Sequence, residues 1–122
     1  MTAIQPLDAS TTALDIWPDL TVTTRRREPG PPKRIAGMTM GLITILPGQS
    51  PHDGEMHPDG DEILCVVSGT LSLSYDSIDK PVHIAAGQMC VVPKGEWHLV
   101  DCLEETTFVH VTPGPNGEAR FA

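Results

Sequence analysis

No apolar run in this chain of 122 residues approaches the ~20 residues that a membrane-spanning helix needs, so no membrane partner is expected. Its first ten residues, MTAIQPLDAS, lack a basic stretch followed by an apolar core. No secretory signal is expected, and the expected location is cytoplasmic. Basic residues are scarce, 8 against 16 acidic ones, for a net charge of −8. That balance excludes nucleic acid as the expected partner, because phosphate binding needs a basic footprint. Cysteine is also scarce. Three residues, Cys65, Cys90 and Cys102, with no close pair, give neither a disulfide framework nor a CxxC zinc pattern. Long helices are disfavoured too, because 11 glycines and 12 prolines interrupt a chain that is only 39% hydrophobic. One domain with one core fits this length.

The basic residues that are present are clustered. Arg25, Arg26, Arg27, Lys33 and Arg34 are five of the eight. They suit a solvated arm or an intersubunit salt-bridge patch, with an anion or substrate-carboxylate site as the alternative. Residues 1–34 read as an N-terminal arm, rich in Thr, Ala, Asp and Pro, ending in Glu28-Pro29-Gly30-Pro31-Pro32. Within it the β-branched piece Leu20–Thr24 could add an edge strand, or cross to the sheet of a neighbouring copy.

From Ile35 the pattern becomes strand. Twelve residues to Leu46 carry no charge, and Pro47-Gly48 stops them. A loop over 49–61 holds a short extended piece. Glu62–Val67 is a strand, and Ser68-Gly69 turns it back. Leu71, Leu73 and Tyr75 then alternate with Ser72 and Ser74, as in a strand with one buried face. Further strands are expected over 82–84, 89–92, 97–102 and 107–112, with regular structure ending in the tail 113–122. About eight short strands and no helix indicate an all-β sandwich or closed barrel over 35–112.

Two stretches carry the chemistry. Gly48–Gly69 holds five acidic residues and two histidines; Gly87–Cys102 holds His98. Strand parity puts residues i and i+2 on one face. Glu62 then shares a face with Leu64 and Val66, where an ionised carboxylate is costly unless it is paired or binds a metal. Glu55 shares a face with His57, and His98 with Val100 and Cys102. A carboxylate and two imidazoles pointing inward suit zinc, iron, nickel, copper or manganese.

At these residues the chain resembles the cupins. The second half of that family's first motif, H-x3,4-E-x6-G, is met by His57, Glu62 and Gly69. The second motif, G-x5-P-x-G-x2-H-x3-N, is met by Gly87, Pro93, Gly95 and His98, with Cys102 in place of Asn. The resemblance covers 35–112 and implies a double-stranded β-helix, or jelly-roll barrel. It implies the ligand set Glu55, His57, Glu62 and His98, in which Glu55 replaces the family's first histidine. His52 is the alternative to Glu55, and a site of three protein ligands plus waters is another.

The cofactor expected is a divalent metal ion: Fe, Mn, Zn or Ni, with a second carboxylate favouring Mn or Fe. The resemblance implies a metal-dependent enzyme of dioxygenase, isomerase, lyase or cyclase type, working on a small organic molecule inside the barrel. Glu55 and His98 are the residues expected to carry catalysis, Glu55 as ligand or general base and His98 as ligand. A non-catalytic small-ligand or metal-sensing barrel is the alternative. A homodimer is implied as well. Met40, Cys102 and His110 are expected to line the pocket. Cys65 and Cys90 read as small buried fillers, His83 as a surface or core histidine, and Trp97 and Tyr75 as core or interface.

Overall fold

The computed structural model describes residues 3–50 and 52–121, and every regular element among them is a strand. No helix is long and apolar enough to cross a membrane. In chain order the strands are β1 Thr12–Ile16, β2 Val22–Arg26, β3 Met38–Ile45, β4 Glu55–Met56, β5 Glu62–Ser68, β6 Thr70–Tyr75, β7 Val82–Ala85, β8 Met89–Val92, β9 His98–Cys102, β10 Thr106–Pro113 and β11 Glu118–Ala119. They form two antiparallel sheets. One has the order β2-β1-β3-β10-β5-β8 and the other β11-β4-β9-β6-β7. This is the jelly-roll architecture that the motifs imply.

The strand parities settle the core. From the first sheet Leu64, Val66, Val92 and Phe108 point inward; from the second come Leu71, Leu73, Ile84 and Cys102, and all eight are buried together. Their neighbours along each strand face out. The β5–β6 turn is tight because Gly69 takes φ +83°, and any side chain there would strike the backbone of Glu105 at 2.4 Å.

The arm differs from expectation. Residues 12–26 form a hairpin on the chain's own sheet, with β1 paired to β3 through Leu14↔Met40 and Ile16↔Met38. The edge strand expected near 20–24 is β2. A buried polar knot fixes this hairpin. Asp15, buried on the inner face, takes the Arg25 guanidinium at 3.0 Å and the Thr39 hydroxyl at 2.8 Å. An isolated buried carboxylate would be costly, so the pairing specifies where β1 sits. The arginine and the aspartate come from strands that a pattern search reads as polar and exposed. The tail also differs, since residues 118–119 pair with β4 instead of leaving the fold.

Candidate metal centre

The barrel's inward row changes character along each strand. On β5 it runs Val66, Leu64, Glu62; on β10 it runs Phe108, His110, Thr112. At the end of the barrel where β5 begins and β10 finishes, that row becomes polar. Glu62 and His98 are 3% and 1% exposed, and His57 is 5% exposed.

Loops from both sequence motifs meet here. The backbone N–H of Gly95 donates to the His57 carbonyl at 3.0 Å, and that of Lys94 donates to the Asp61 carboxylate at 2.7 Å. The proline-glycine turn of the second motif is thereby fastened to the acidic loop of the first. Asp59 accepts from the backbone and side chain of Asn116 at 2.6 and 2.9 Å, which ties in the C-terminal segment. β4 lies between β11 and β9, with Glu55 opposite His98 and Ala119.

These constraints bring one ligand atom each from Glu55, His57, Glu62 and His98 within 4.8 Å of one another. His98 Nε2 lies 3.2 Å from Glu62 Oε1 and 3.5 Å from Glu55 Oε1. His57 Nε2 lies 3.5 Å from Glu55 Oε1 and 3.5 Å from Glu62 Oε2. Ligand bonds of ~2.0–2.2 Å at angles near 90–110° would set neighbouring ligand atoms ~3.0–3.5 Å apart, so the four atoms fit a first-row divalent cation. A second observation agrees. His57 Nε2, His98 Nε2 and Glu62 Oε1 are buried without a hydrogen-bond partner. Buried polar atoms are ordinarily satisfied, and three orphans aimed at one point call for an occupant.

The surroundings orient these ligands. His98 places Nδ1 3.0 Å from the Glu96 carbonyl, which holds Nε2 toward the centre. Glu62 Oε2 accepts from the Thr112 hydroxyl at 2.6 Å, and Thr112 Oγ1 is in turn 2.7 Å from His110 Nδ1. The imidazole of His110 lies against β3 where Gly41 leaves room; a Cβ there would meet Nε2 at 2.7 Å. Burial, with the Arg34 charge adding to it, pushes His110 down to about 4, so its ring is neutral near pH 7.

Without a cation Glu55 and His98 shift in opposite directions. Burial works against charge on His98, but the Glu55 and Glu62 carboxylates override it and raise His98 to about 10. Burial likewise works against charge on Glu55, yet the His57 and His98 imidazoles hold it well below the usual carboxylate range.

His52 stands outside the cluster. Its Nδ1 accepts from the Gly54 N–H at 3.2 Å and its Nε2 lies 3.3 Å from the outer oxygen of Glu55. It lies beside Glu55, outside the group of four convergent side chains. Two expected pocket residues are elsewhere. Met40 points to the outer face of the first sheet, where it lines an apolar hollow of about 180 Å³ with Leu14, Leu42 and Val109. The parity of β3 decides this, since Thr39 and Gly41 take the inward positions. Cys102 is inward, but at the apolar end, in the core, with Sγ 3.7 Å from the Ile45 carbonyl. Three residues of β9 separate it from His98. His110 faces inward, against Gly41 and Thr112. Cys90 packs against the core, Cys65 is half-buried on the outer face and His83 is exposed. Tyr75 packs against the core, while Trp97 lies under the Arg120 guanidinium at 4.7 Å. Thr112 was not singled out in the sequence, although it shares the parity of His110 and Phe108, with a hydroxyl where an apolar residue would otherwise be expected.

The fold has counterparts among known proteins. Oxalate decarboxylase of Bacillus subtilis, a protein described with Mn(II) centres, superposes with a TM-score of 0.56 at 20% identity. The match covers 67% of this chain and 23% of that one, and the likeness is one of fold. A cupin-2 domain containing protein from Shewanella frigidimarina superposes with a TM-score of 0.49 at 27% identity, over 63% of this chain and 71% of that one. No curated protein sequence matches the chain. The family model described as the cupin domain matches residues 41–112, which run from within β3 to Thr112 of β10 and include all four convergent side chains. The chain belongs to the cupin-domain family.

Proposed function

We propose that this protein is a metal-dependent cupin enzyme that holds a divalent cation, manganese or iron by preference, and acts on a small organic molecule at the polar end of the barrel. One observation carries the reading: buried Nε2 and carboxylate atoms of His57, Glu62 and His98 converge with Glu55 while lacking hydrogen-bond partners. Two carboxylates favour a harder cation over copper. Described Mn(II) centres in the B. subtilis neighbour are consistent with that preference.

A cation held here would supply Lewis acidity toward an oxygen of the substrate or toward water. The chain's own residues do the rest. Glu55, at 23% exposure of its side chain, is the most open of the four and sits at the rim. It is the group placed to exchange a proton with substrate, steadied by His52. Thr112 and the Glu96 carbonyl fix Glu62 and His98. The leucine-rich core below the site keeps water out from that side.

The test begins with metal content. Protein reconstituted with Mn²⁺ or Fe²⁺ is expected to hold one ion per chain by elemental analysis, and His57→Ala or His98→Ala to hold none. Unchanged metal in both variants overturns the site. Turnover with a panel of catechols, keto acids and thiols then decides between enzyme and binder. The binder reading has its own support, because four protein ligands would saturate a tetrahedral ion such as zinc, whereas a six-coordinate ion keeps two positions for substrate.

Homodimerisation belongs to the same proposal. Ile63, Val67, Met89 and Val91 are 39–73% exposed, and pairing of Ile63 with Val91 places them on one outer face at the β8 edge. A contiguous apolar row of that kind suits a protein interface.

A further inference from the structure

Three arginines of the N-terminal segment approach the barrel, and two of them are already engaged. Arg25 is held by Asp15. Arg27 donates to the Leu42 carbonyl at 2.6 Å, capping the part of β3 that β1 leaves unpaired. Arg34 is different. It is half-buried, yet among the described residues its guanidinium has neither a hydrogen bond nor an ion pair. Its Cβ packs against Gly114, one residue beyond the end of β10, where an added methyl would come within 2.5 Å. That is the metal end of the barrel, since Thr112 and Glu62 meet two residues away. Burial works against the Arg34 charge, and the Glu55 and Glu62 carboxylates oppose that effect.

We propose that Arg34 is the anion-binding residue of the site, and that the substrate is a small organic carboxylate whose carboxyl group pairs with Arg34 while a second oxygen reaches the metal centre. This inference rests on the metal reading given above. Charge balance supports it. Glu55 and Glu62 together cancel a divalent cation, so the loaded centre offers an anion no net attraction. The chain as a whole, at −8, repels anions. A carboxylate therefore needs a separate cationic partner, and Arg34, half-buried beside Gly114 and without a partner among the described residues, can supply it. Guanidinium also matches a carboxylate with two parallel donors. A half-buried cation without a partner is costly, and a substrate carboxylate would remove that cost on binding. The flanking His110 ring is neutral and adds no competing charge.

The experiment uses full-length protein loaded with Mn²⁺, titrated with pyruvate, glycolate and malonate by calorimetry and by water-proton relaxation. Pyruvamide, isosteric with pyruvate but uncharged, is the control. At least one of the three anions is expected to bind, and pyruvamide to bind more weakly. Arg34→Gln is expected to weaken anion binding about 10- to 100-fold, in keeping with charge-assisted hydrogen bonds, and Arg34→Lys less. Arg27→Gln leaves anion binding unchanged. Manganese content stays at one per chain in Arg34→Gln, because removing a positive charge beside two carboxylates does not weaken a cation. Three outcomes overturn the inference: no anion binds the loaded protein, Arg34→Gln binds as tightly as the parent, or Arg34→Gln loses its manganese. A parent protein that takes up no manganese sinks the metal reading first, which separates the two failures.

Discussion

The two ends of the barrel interior are built by the same strands and do opposite work. β5 contributes Leu64 and Val66 to one end and Glu62 to the other; β9 contributes Cys102 and His98; β10 contributes Phe108 and Thr112. At the apolar end the buried core side chains gain by leaving water. At the polar end four buried atoms, both ring nitrogens of His57, Nε2 of His98 and Oε1 of Glu62, lack hydrogen-bond partners, and imidazoles crowd carboxylates. Stability is therefore supplied largely by one end and drawn on by the other. The polar end is kept in place by backbone ties between loops, such as Gly95 to His57 and Lys94 to Asp61, which do not depend on what fills the centre.

The sharpest way to separate the ends is pH. In the metal-free protein His98 titrates at about 10 against an ordinary 6.5, so its contribution to stability is fully present below 6.5 and is lost as pH rises through 10. Glu55 is depressed, so its contribution is present above its ordinary 4.5 and is lost as pH falls through its folded value. The metal-free protein should thus be most stable between those two ordinary values, near pH 4.5–6.5. Metal binding behaves oppositely, because the cation must expel the His98 proton. Its apparent affinity should climb about tenfold per pH unit above neutrality. Melting curves with and without Mn²⁺ at pH 5, 7 and 9 check both trends. A metal-free midpoint that does not fall between pH 7 and 9 would dispose of the proton-sharing cluster.

Truncation of the apolar end should do the reverse. Leu73→Ala, at a side chain with 0% exposure, is expected to cost about 3–5 kcal/mol with and without metal alike, while leaving metal stoichiometry intact. Chemical denaturation followed by elemental analysis of the folded fraction measures both. If Leu73→Ala instead abolished metal uptake while folded, the two ends would not be independent.

How much of this was legible in the sequence follows from the same contrast. The alternation Leu71, Leu73, Tyr75 against Ser72, Ser74 places β6 at its observed bounds, because one face is wet and the other dry. The carboxylate of Glu62 on the parity of Leu64 and Val66 marks the site, because a charge among core residues needs a reason. The hairpin β1–β2 was not legible. Its anchors, Asp15 and Arg25, look like surface residues until they are seen paired, and no pattern one strand long reveals a partner ten residues away. Met40 failed for another reason. A strand without charge, such as β3, carries no polar residue to tell which parity is outside, and only the β10 register, with Met40 opposite Val111, decides it. β11 is two residues long and exposed, below what periodicity can detect.

The smallest effect probes the seam between the ends. Thr112 is fully buried, with its hydroxyl between Glu62 Oε2 and His110 Nδ1. Val in its place keeps the shape and removes both hydrogen bonds. Glu62 then loses the contact that fixes its orientation, and the neutral His110 ring loses its partner. Loss of such an outer contact ordinarily costs a metal site about 10- to 100-fold in affinity. Thr112→Val should therefore weaken Mn²⁺ binding by that factor in a chelator competition, and Thr112→Ser should restore most of it. The restoration matters more than the loss, because a cavity or a shifted strand would harm Ser as much as Val, whereas a hydroxyl acting on Glu62 is returned by Ser. Equal affinity in Val and parent would mean that Glu62 is held by the centre alone, and that the boundary between the dry and polar ends lies one residue nearer the rim.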